Sequence, residues 1–250
     1  MNTPEDTVKL IARRRGLSFE ETRVPTIAFL SLSVGVTEHL VRMTEAKEKR
    51  WIYRARPLFV GRVGGSPAGV IWAAPGAPLA AMVMEDLIAC GAKVFVGVGL
   101  ASAIQPSVKL KDLILPSVAV RDEGTSHHYL PKECPAIPTK TILDNLGGAC
   151  RKAGVKYHVG PVWSSDAPYR ETPSKLDYYR RSGVLGVDME TSAIFSVASY
   201  RGVSSGCVLV VSSNLSSKKR GIGFYQEDLS GSIITTIKCS IEAAKGYRRH

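Results

Sequence analysis

The run Lys93-Val94-Phe95-Val96-Gly97-Val98-Gly99-Leu100-Ala101-Ser102 reads as an apolar strand entering a glycine-rich segment. A second run, Gly206-Cys207-Val208-Leu209-Val210-Val211, is almost continuously apolar. A strand that faces water on one side alternates polar and apolar residues; one covered on both faces does not. The second run therefore predicts a strand buried on both faces, and the first predicts a strand over 93–96. Shorter strand patterns occur at 26–30, 59–63, 70–73, 113–115, 118–120 and 157–163. Helical patterns occur at 37–48, 79–90, 139–153, 188–200 and 230–245. In 79–90 the residues Met84, Leu87 and Ile88 recur at helical spacing, and Gly91 is placed to end the helix. This rhythm predicts an α/β fold: one domain over residues 1–250, with a central mixed β-sheet flanked by helices and a polar N-terminal extension at 1–25. Gly97-Val98-Gly99 is expected to be a tight turn at a strand end.

The 250 residues are 44% hydrophobic, enough for a sizeable core. The formal net charge is +11. Its basic clusters, at 47–62, 218–220 and 248–250, are not interleaved with aromatic residues, so solvated faces are expected rather than nucleic-acid binding. No apolar run is long enough for a bilayer, and the polar N-terminus lacks a signal-peptide core. The five cysteines are widely spaced and form no metal-type pattern. These features point to a cytoplasmic protein with no membrane association and no metal.

Three stretches carry candidate chemistry. The first, Gly97 to Ser102, begins like a dinucleotide fingerprint. It lacks the third glycine, and Gln105-Pro106 interrupts any following helix, so no cofactor is expected. The adjacent His127 and His128 make a poor metal pair. The second stretch is Trp163-Ser164-Ser165-Asp166-Ala167-Pro168-Tyr169-Arg170-Glu171-Thr172, which leaves a strand and enters a polar loop. Tyr169 could stack on a planar ring and Arg170 could donate to ring carbonyls. A capped helix start at Thr172, with Arg170 and Glu171 solvated, explains the same residues. The third is Val187-Asp188-Met189-Glu190-Thr191, two acids at the start of an apolar helix. Charge complementarity with the helix N-terminus accounts for them equally well.

Taken together, these motifs resemble those of the nucleoside phosphorylase family, closest to the uridine phosphorylases. Residues 93–131 match its strand, Gly-rich turn, Ala-Ile-Gln-Pro and Asp-Gly-x-Ser-x-His-Tyr sequence. Residues 164–169 match its Ser-Ser-Asp-x-x-Tyr pattern, and 187–198 match its Met-Glu-Thr-Ser-Ala pattern. The resemblance covers roughly residues 26–245. It implies reversible phosphorolysis of a nucleoside to free base and ribose 1-phosphate, with inorganic phosphate as co-substrate and no cofactor. It assigns ribose binding to Met189 and Glu190, with Glu190 the catalytic carboxylate. Base contacts pass to Tyr169, Arg170 and Asn214. Ser213 stands where purine members carry an acidic residue, which favours a pyrimidine base. A homo-oligomer, a hexamer built from dimers, is implied as well.

The phosphate half departs from the family pattern. Gly35 and Gly97 stand at expected arginine positions, and Leu100 replaces a threonine. Gly99 remains, and Arg56 or Arg62 could serve as the arginine that family members receive from a neighbouring subunit. Two other readings follow: a nucleoside hydrolase using water, or a non-catalytic nucleoside-binding paralogue acting as a regulatory or partner subunit.

Overall fold

The computed structural model describes residues 3–216 and 228–247. The basic clusters at 218–220 and 248–250 lie outside these. Strand β1 (Ile27–Ser31) and strand β5 (Val94–Ala103) run parallel in the middle of the molecule, and β1 also pairs in parallel with β4 (Ser66–Trp72). Antiparallel β3 (Leu58–Val63) and the short β2 (Lys47–Lys49) complete that edge. On the other side stand β6 (Leu113–Asp122), β7 (Tyr157–Ser165), β8 (Gly186–Asp188) and β9 (Ser204–Asn214). The nine strands follow the order β2-β3-β4-β1-β5-β8-β7-β6-β9, and β9 returns to pair along the whole of β5. The last five strands thus close a small barrel, while β1 to β4 extend from it as an open sheet.

Helices α1 (Pro4–Arg14), α3 (Ala77–Ala89) and α6 (Thr191–Arg201) lie on one face. Helices α2 (Val34–Met43), α4 (Lys140–Lys152) and α7 (Ser230–Lys245) cover the other, and the short α5 (Pro173–Arg181) precedes β8. The two main apolar clusters correspond to these two layers. The α/β class and the helix-flanked mixed sheet are as the apolar runs predict. The N-terminal stretch is polar outside, yet it turns Val8 and Ala12 inward and packs α1 on α3. Its start is fixed by a capping box in which Thr3 and Asp6 satisfy each other's backbone N–H groups.

Four local expectations are corrected. Gly97-Val98-Gly99 is not a turn: it lies inside β5, where glycine lets other chains come close. A Cβ on Gly97 would fall 2.5 Å from Cys207 Sγ, and one on Gly99 would fall 2.8 Å from Leu32 Cβ. The patterns at 113–115 and 118–120 are one strand carrying a register shift between Pro116 and Val118. The helix expected over 37–48 spans Val34–Met43; Glu45 then takes a positive φ of 51°, and the chain turns into β2. The helix expected from Asp188 starts at Thr191, because Gly186 to Asp188 pair with β5 and β7 instead.

Candidate active site

The parallel strands direct their carboxyl ends toward one side, where open α/β sheets form clefts at a reversal of strand order. Here the reversal is a fork on one edge of β5. Residues 94–98 of that edge pair with β1, and residues 102–103 pair with β8. Strand β1 leaves as Leu32 N donates to Val98 O at 2.9 Å. Strand β8 arrives from the opposite direction and is heading past Leu100 toward Gly99 when it ends at Asp188. Gly99, Leu100 and Ala101 therefore face the opening between Leu32 on one side and Met189-Glu190 on the other.

The two acids there divide their work. Asp188 caps α6: its Oδ2 accepts from Thr191 N at 2.9 Å and from the Thr191 hydroxyl, and its Oδ1 accepts from Ser164 Oγ at 2.6 Å. Ser164 Oγ in turn accepts from Ser192 N at 3.0 Å. The helix-end explanation of the acidic pair thus belongs to Asp188. Glu190 sits at the N-cap position of α6 but makes no side-chain cap there. Its Oε1 reaches across the fork to accept from Gly76 N at 2.5 Å.

Gly76 opens α3 with φ +92°, in the Ala74-Pro75-Gly76-Ala77-Pro78 turn that follows β4; the Ala74-Pro75 peptide is cis. A positive φ suits glycine, and Pro78 near the helix start needs no donor there. The positive end of α3 thus receives the Glu190 carboxyl.

Glu190 is only 6% exposed. Loss of hydration, and then the charge of Asp188, push its carboxyl up to about 8, although the Gly76 and Met189 N–H groups act in the other direction. Burial pushes Asp188 up as well, opposed by its hydroxyl and backbone donors. With only backbone N–H groups donating to it among the described residues, Glu190 can accept further hydrogen bonds from ligand hydroxyls once ionised, and Met189 beside it is half-buried.

The neighbouring loops are tied to the same network. Glu123 is buried, accepts from Ser126 N at 3.0 Å, and receives Ser192 Oγ at 2.9 Å. Asp166 accepts from Gly124 N at 2.9 Å. Arg121 donates to the carbonyls of Ser126, Leu130, Pro131 and Cys134, which fixes the loop carrying His127 and His128.

The remaining sequence-derived candidates are spread around this centre. Asn214 ends β9 opposite Ala103, with Oδ1 accepting from Ser216 N at 2.8 Å and Nδ2 donating to Val108 O at 3.4 Å. Its neighbour Ser213 donates to Ser102 Oγ at 2.6 Å. Tyr169 and Arg170 lie in a 3-10 turn after β7, Arg170 exposed and Tyr169 100% exposed. Thr172 caps α5 by accepting from Lys175 N at 3.4 Å, so the helix-start explanation of that stretch also holds. Arg56 stacks its guanidinium 5.8 Å from the Tyr53 ring, and Arg62 donates to Gly65 O at 2.5 Å.

On the β1 side the fork carries hydroxyls and no charged side chain among the described residues: Ser31 Oγ donates to Ser33 O at 2.7 Å, Thr37 Oγ1 donates to Ser31 Oγ at 2.9 Å, and Ser33 caps α2. Leu32 covers Gly99, Cys207 of β9 fills the space beside Gly97, and among the described residues nothing lies within 4 Å of where a Cβ on Gly35 would be. Leu32, the Gly76 N–H and the pivot Ser164 escape sequence reading, because each acts through a partner far away along the chain.

Comparisons with known proteins identify the family. A family model described as Phosphorylase superfamily matches residues 26–229. A guanosine phosphorylase of Halorubrum lacusprofundi is 28% identical over 205 residues, covering 82% of this chain and 85% of that protein. A uridine phosphorylase of Thermococcus kodakarensis is 33% identical over 183 residues, 68% of this chain and 66% of that protein. A DeoD-type purine nucleoside phosphorylase of Shewanella frigidimarina is 28% identical over 186 residues, 73% and 79%. The fork built around Met189 and Glu190 lies within the matched span, and the chain belongs to the phosphorylase superfamily, among the nucleoside phosphorylases.

Proposed function

We propose that this protein cleaves the N-glycosidic bond of a nucleoside, with inorganic phosphate as the attacking group, releasing a free base and ribose 1-phosphate. The observation that carries the proposal is Glu190: a buried carboxyl at the fork, held by backbone N–H groups and, among the described residues, by no side-chain cation. As the base departs the sugar gains positive character, and a carboxylate gripping its hydroxyls both orients the ring and stabilises that charge. Met189 packs under the sugar. Tyr169, Arg170 and Asn214 are the proposed base contacts, and a uridine-type base is favoured because Ser213 offers a hydroxyl rather than an acid. Gly99 and Arg56 are the proposed phosphate contacts, with Arg56 serving a neighbouring copy in a dimer-based hexamer. The exposure of Tyr169 and Arg170 supports a site completed by a second subunit. The expected setting is the cytoplasm, with no cofactor or metal; among the described residues no helix is long and apolar enough to cross a membrane.

One observation favours a second reading. With Leu32 over Gly99 and glycine at positions 35 and 97, the phosphate side offers an anion the hydroxyls of Ser31, Ser33 and Thr37 but no guanidinium. A hydrolase using water, or a nucleoside-binding paralogue without turnover, fits that side better. Uracil release from uridine, measured with and without phosphate, separates the three. Phosphate-dependent release with ribose 1-phosphate as product supports the proposal. Equal release in both conditions supports hydrolysis, and saturable uridine binding without release supports the paralogue.

A further inference from the structure

Strand β5 meets β8 at Ser102, its first residue beyond the fork, and Ser102 also stands opposite Ser213 of β9. The pairing of β5 with β9 jumps from Ala101 and Val211 to Ser102 and Ser213, leaving Ser212 as an extra residue. A bulge of this kind re-aims the side chains beside it. Here it brings two hydroxyls together: Ser213 Oγ donates to Ser102 Oγ at 2.6 Å, and both residues are buried. Ser212 instead donates to Ala101 O at 3.3 Å. The serine pair has a direction. Ser102 receives the Ser213 proton and keeps its own, for which the described residues provide no acceptor. A buried donor is costly to leave unpaired, so it suits a ligand that accepts. Alternation along β5 puts Ser102 on the face of Leu100, which borders the fork, and Val187 opposite Ser102 is followed by Asp188, Met189 and Glu190. Asn214, next to Ser213, is already engaged with Ser216 N and Val108 O.

Resting on the proposal that a nucleoside occupies the fork, we infer that Ser102 is a specificity-determining residue that donates to an exocyclic carbonyl oxygen of the base, so that the site prefers keto bases to their amino counterparts. When the N-glycosidic bond breaks, its electron pair passes to the base, and in a keto base much of that charge resides on the carbonyl oxygens. A hydroxyl donor fixed beside one of them gains strength as the charge grows. An amino group at the same place can bond only to the remaining lone pair of Ser102. The Ser102 proton is then left unpaired or, if the serine pair reverses, the Ser213 proton is. Sites built around a hydrogen bond reject analogues in this way, by leaving a buried polar group without its partner.

The test compares uridine with cytidine on the full-length protein, by calorimetric titration in phosphate-free buffer and by kcat/KM where base is released. Uridine should be favoured by about 10–100-fold. Ser102→Ala should bring the two within about threefold, mainly by weakening uridine, whereas Ser213→Ala should keep most of the preference because Ser102 retains its proton. Both nucleosides are compared on one preparation, so partial unfolding of a variant does not alter the ratio, and Ser102→Thr, which keeps the hydroxyl, should restore it. Equal affinities in the unaltered protein, or an unchanged ratio in Ser102→Ala, would overturn this inference while leaving nucleoside recognition in place. So would a preference lost in Ser213→Ala but kept in Ser102→Ala. Failure to bind or cleave either nucleoside would instead remove the proposed function, and this inference with it.

Discussion

The two sides of the fork in β5 are built differently: one around buried carboxyl groups, the other around hydroxyls and a leucine. On the β8 side, Ser164, Asp188, Thr191, Ser192 and Glu123 form a buried hydrogen-bonded chain, and Glu190 is presented from its end. On the β1 side, Leu32 closes over Gly99 and short local hydrogen bonds link the Ser31 and Thr37 hydroxyls to each other and to Ser33 O, with no carboxylate or cation among the described residues there. A buried network centred on a carboxyl is stable only when every member is satisfied, whereas short local hydroxyl contacts tolerate more change. The β8 side is therefore committed to one geometry, and the β1 side is the less constrained of the two.

The comparison is most severely tested at Glu190. Glu190→Ala should lower kcat/KM for nucleoside cleavage by about 10³-fold, as expected for a group that stabilises developing charge; unchanged turnover would remove Glu190 from the mechanism. The next largest effect should come from Asp188→Asn. It replaces an acceptor of three hydrogen bonds by an amide that cannot accept them all, and a loss of about 3 kcal/mol in urea unfolding is expected. Nucleoside affinity should fall with it, because the start of α6 positions Glu190.

The two glycines at the expected arginine positions should behave differently. Gly97→Ala places a methyl group against Cys207 and should cost about 1–3 kcal/mol in thermal or urea unfolding. Gly35→Arg has open space around its Cβ. If phosphate docks here, the new guanidinium should lower the phosphate KM about tenfold and leave thermal stability nearly unchanged. A stable variant with no gain for phosphate would place the anion elsewhere.

Acidity provides a further separation. The carboxylate form of Glu190 accepts the sugar hydroxyls, so nucleoside kcat/KM should rise with pH and level off above about 8. Stability should move the other way. The folded state holds the Glu190 proton more tightly than the unfolded chain, whose value is near 4.5, so its stabilising contribution is complete below that value and is lost as pH rises through about 8. Glu190→Gln should therefore flatten both profiles, and an unaltered slope would show that another group controls them. The smallest effect is expected at Tyr169: in an isolated subunit Tyr169→Ala should change KM by less than about twofold, because the ring touches little. A larger effect in the assembled protein would show that a second subunit covers it.

Sequence patterns reveal the layers of this fold because periodicity and long apolar runs are local: the run at 206–211 lies within β9 and the helix at 230–245 follows directly, whereas β5 continues through Gly97-Val98-Gly99, where the glycines predict a turn. The fork was not legible. Short β8 has too few residues for a periodic signal, and its conformation is imposed by partners on β5 and β7. Spacing left Asp188 and Glu190 indistinguishable as helix-end acids. Their different duties depend on Ser164 and on Gly76, 24 and 114 residues away from their respective partners. The family motifs identified which acid to follow. They could not show that Leu32 closes over Gly99, since that contact joins two separate strands.

The forked edge of β5 has a consequence for motion. Val94 to Val98 are paired on both sides, and so are Ser102 and Ala103, whereas residues 99–101 have β9 on one side and the fork on the other. In deuterated solvent the flanking amides should exchange only in global unfolding, while an amide of the 99–101 segment can exchange through a local opening. Nucleoside added to the solution should slow that exchange at the centre of the chain and leave the helices almost unaffected, so that one of the most deeply embedded strands becomes the reporter of an occupied cleft.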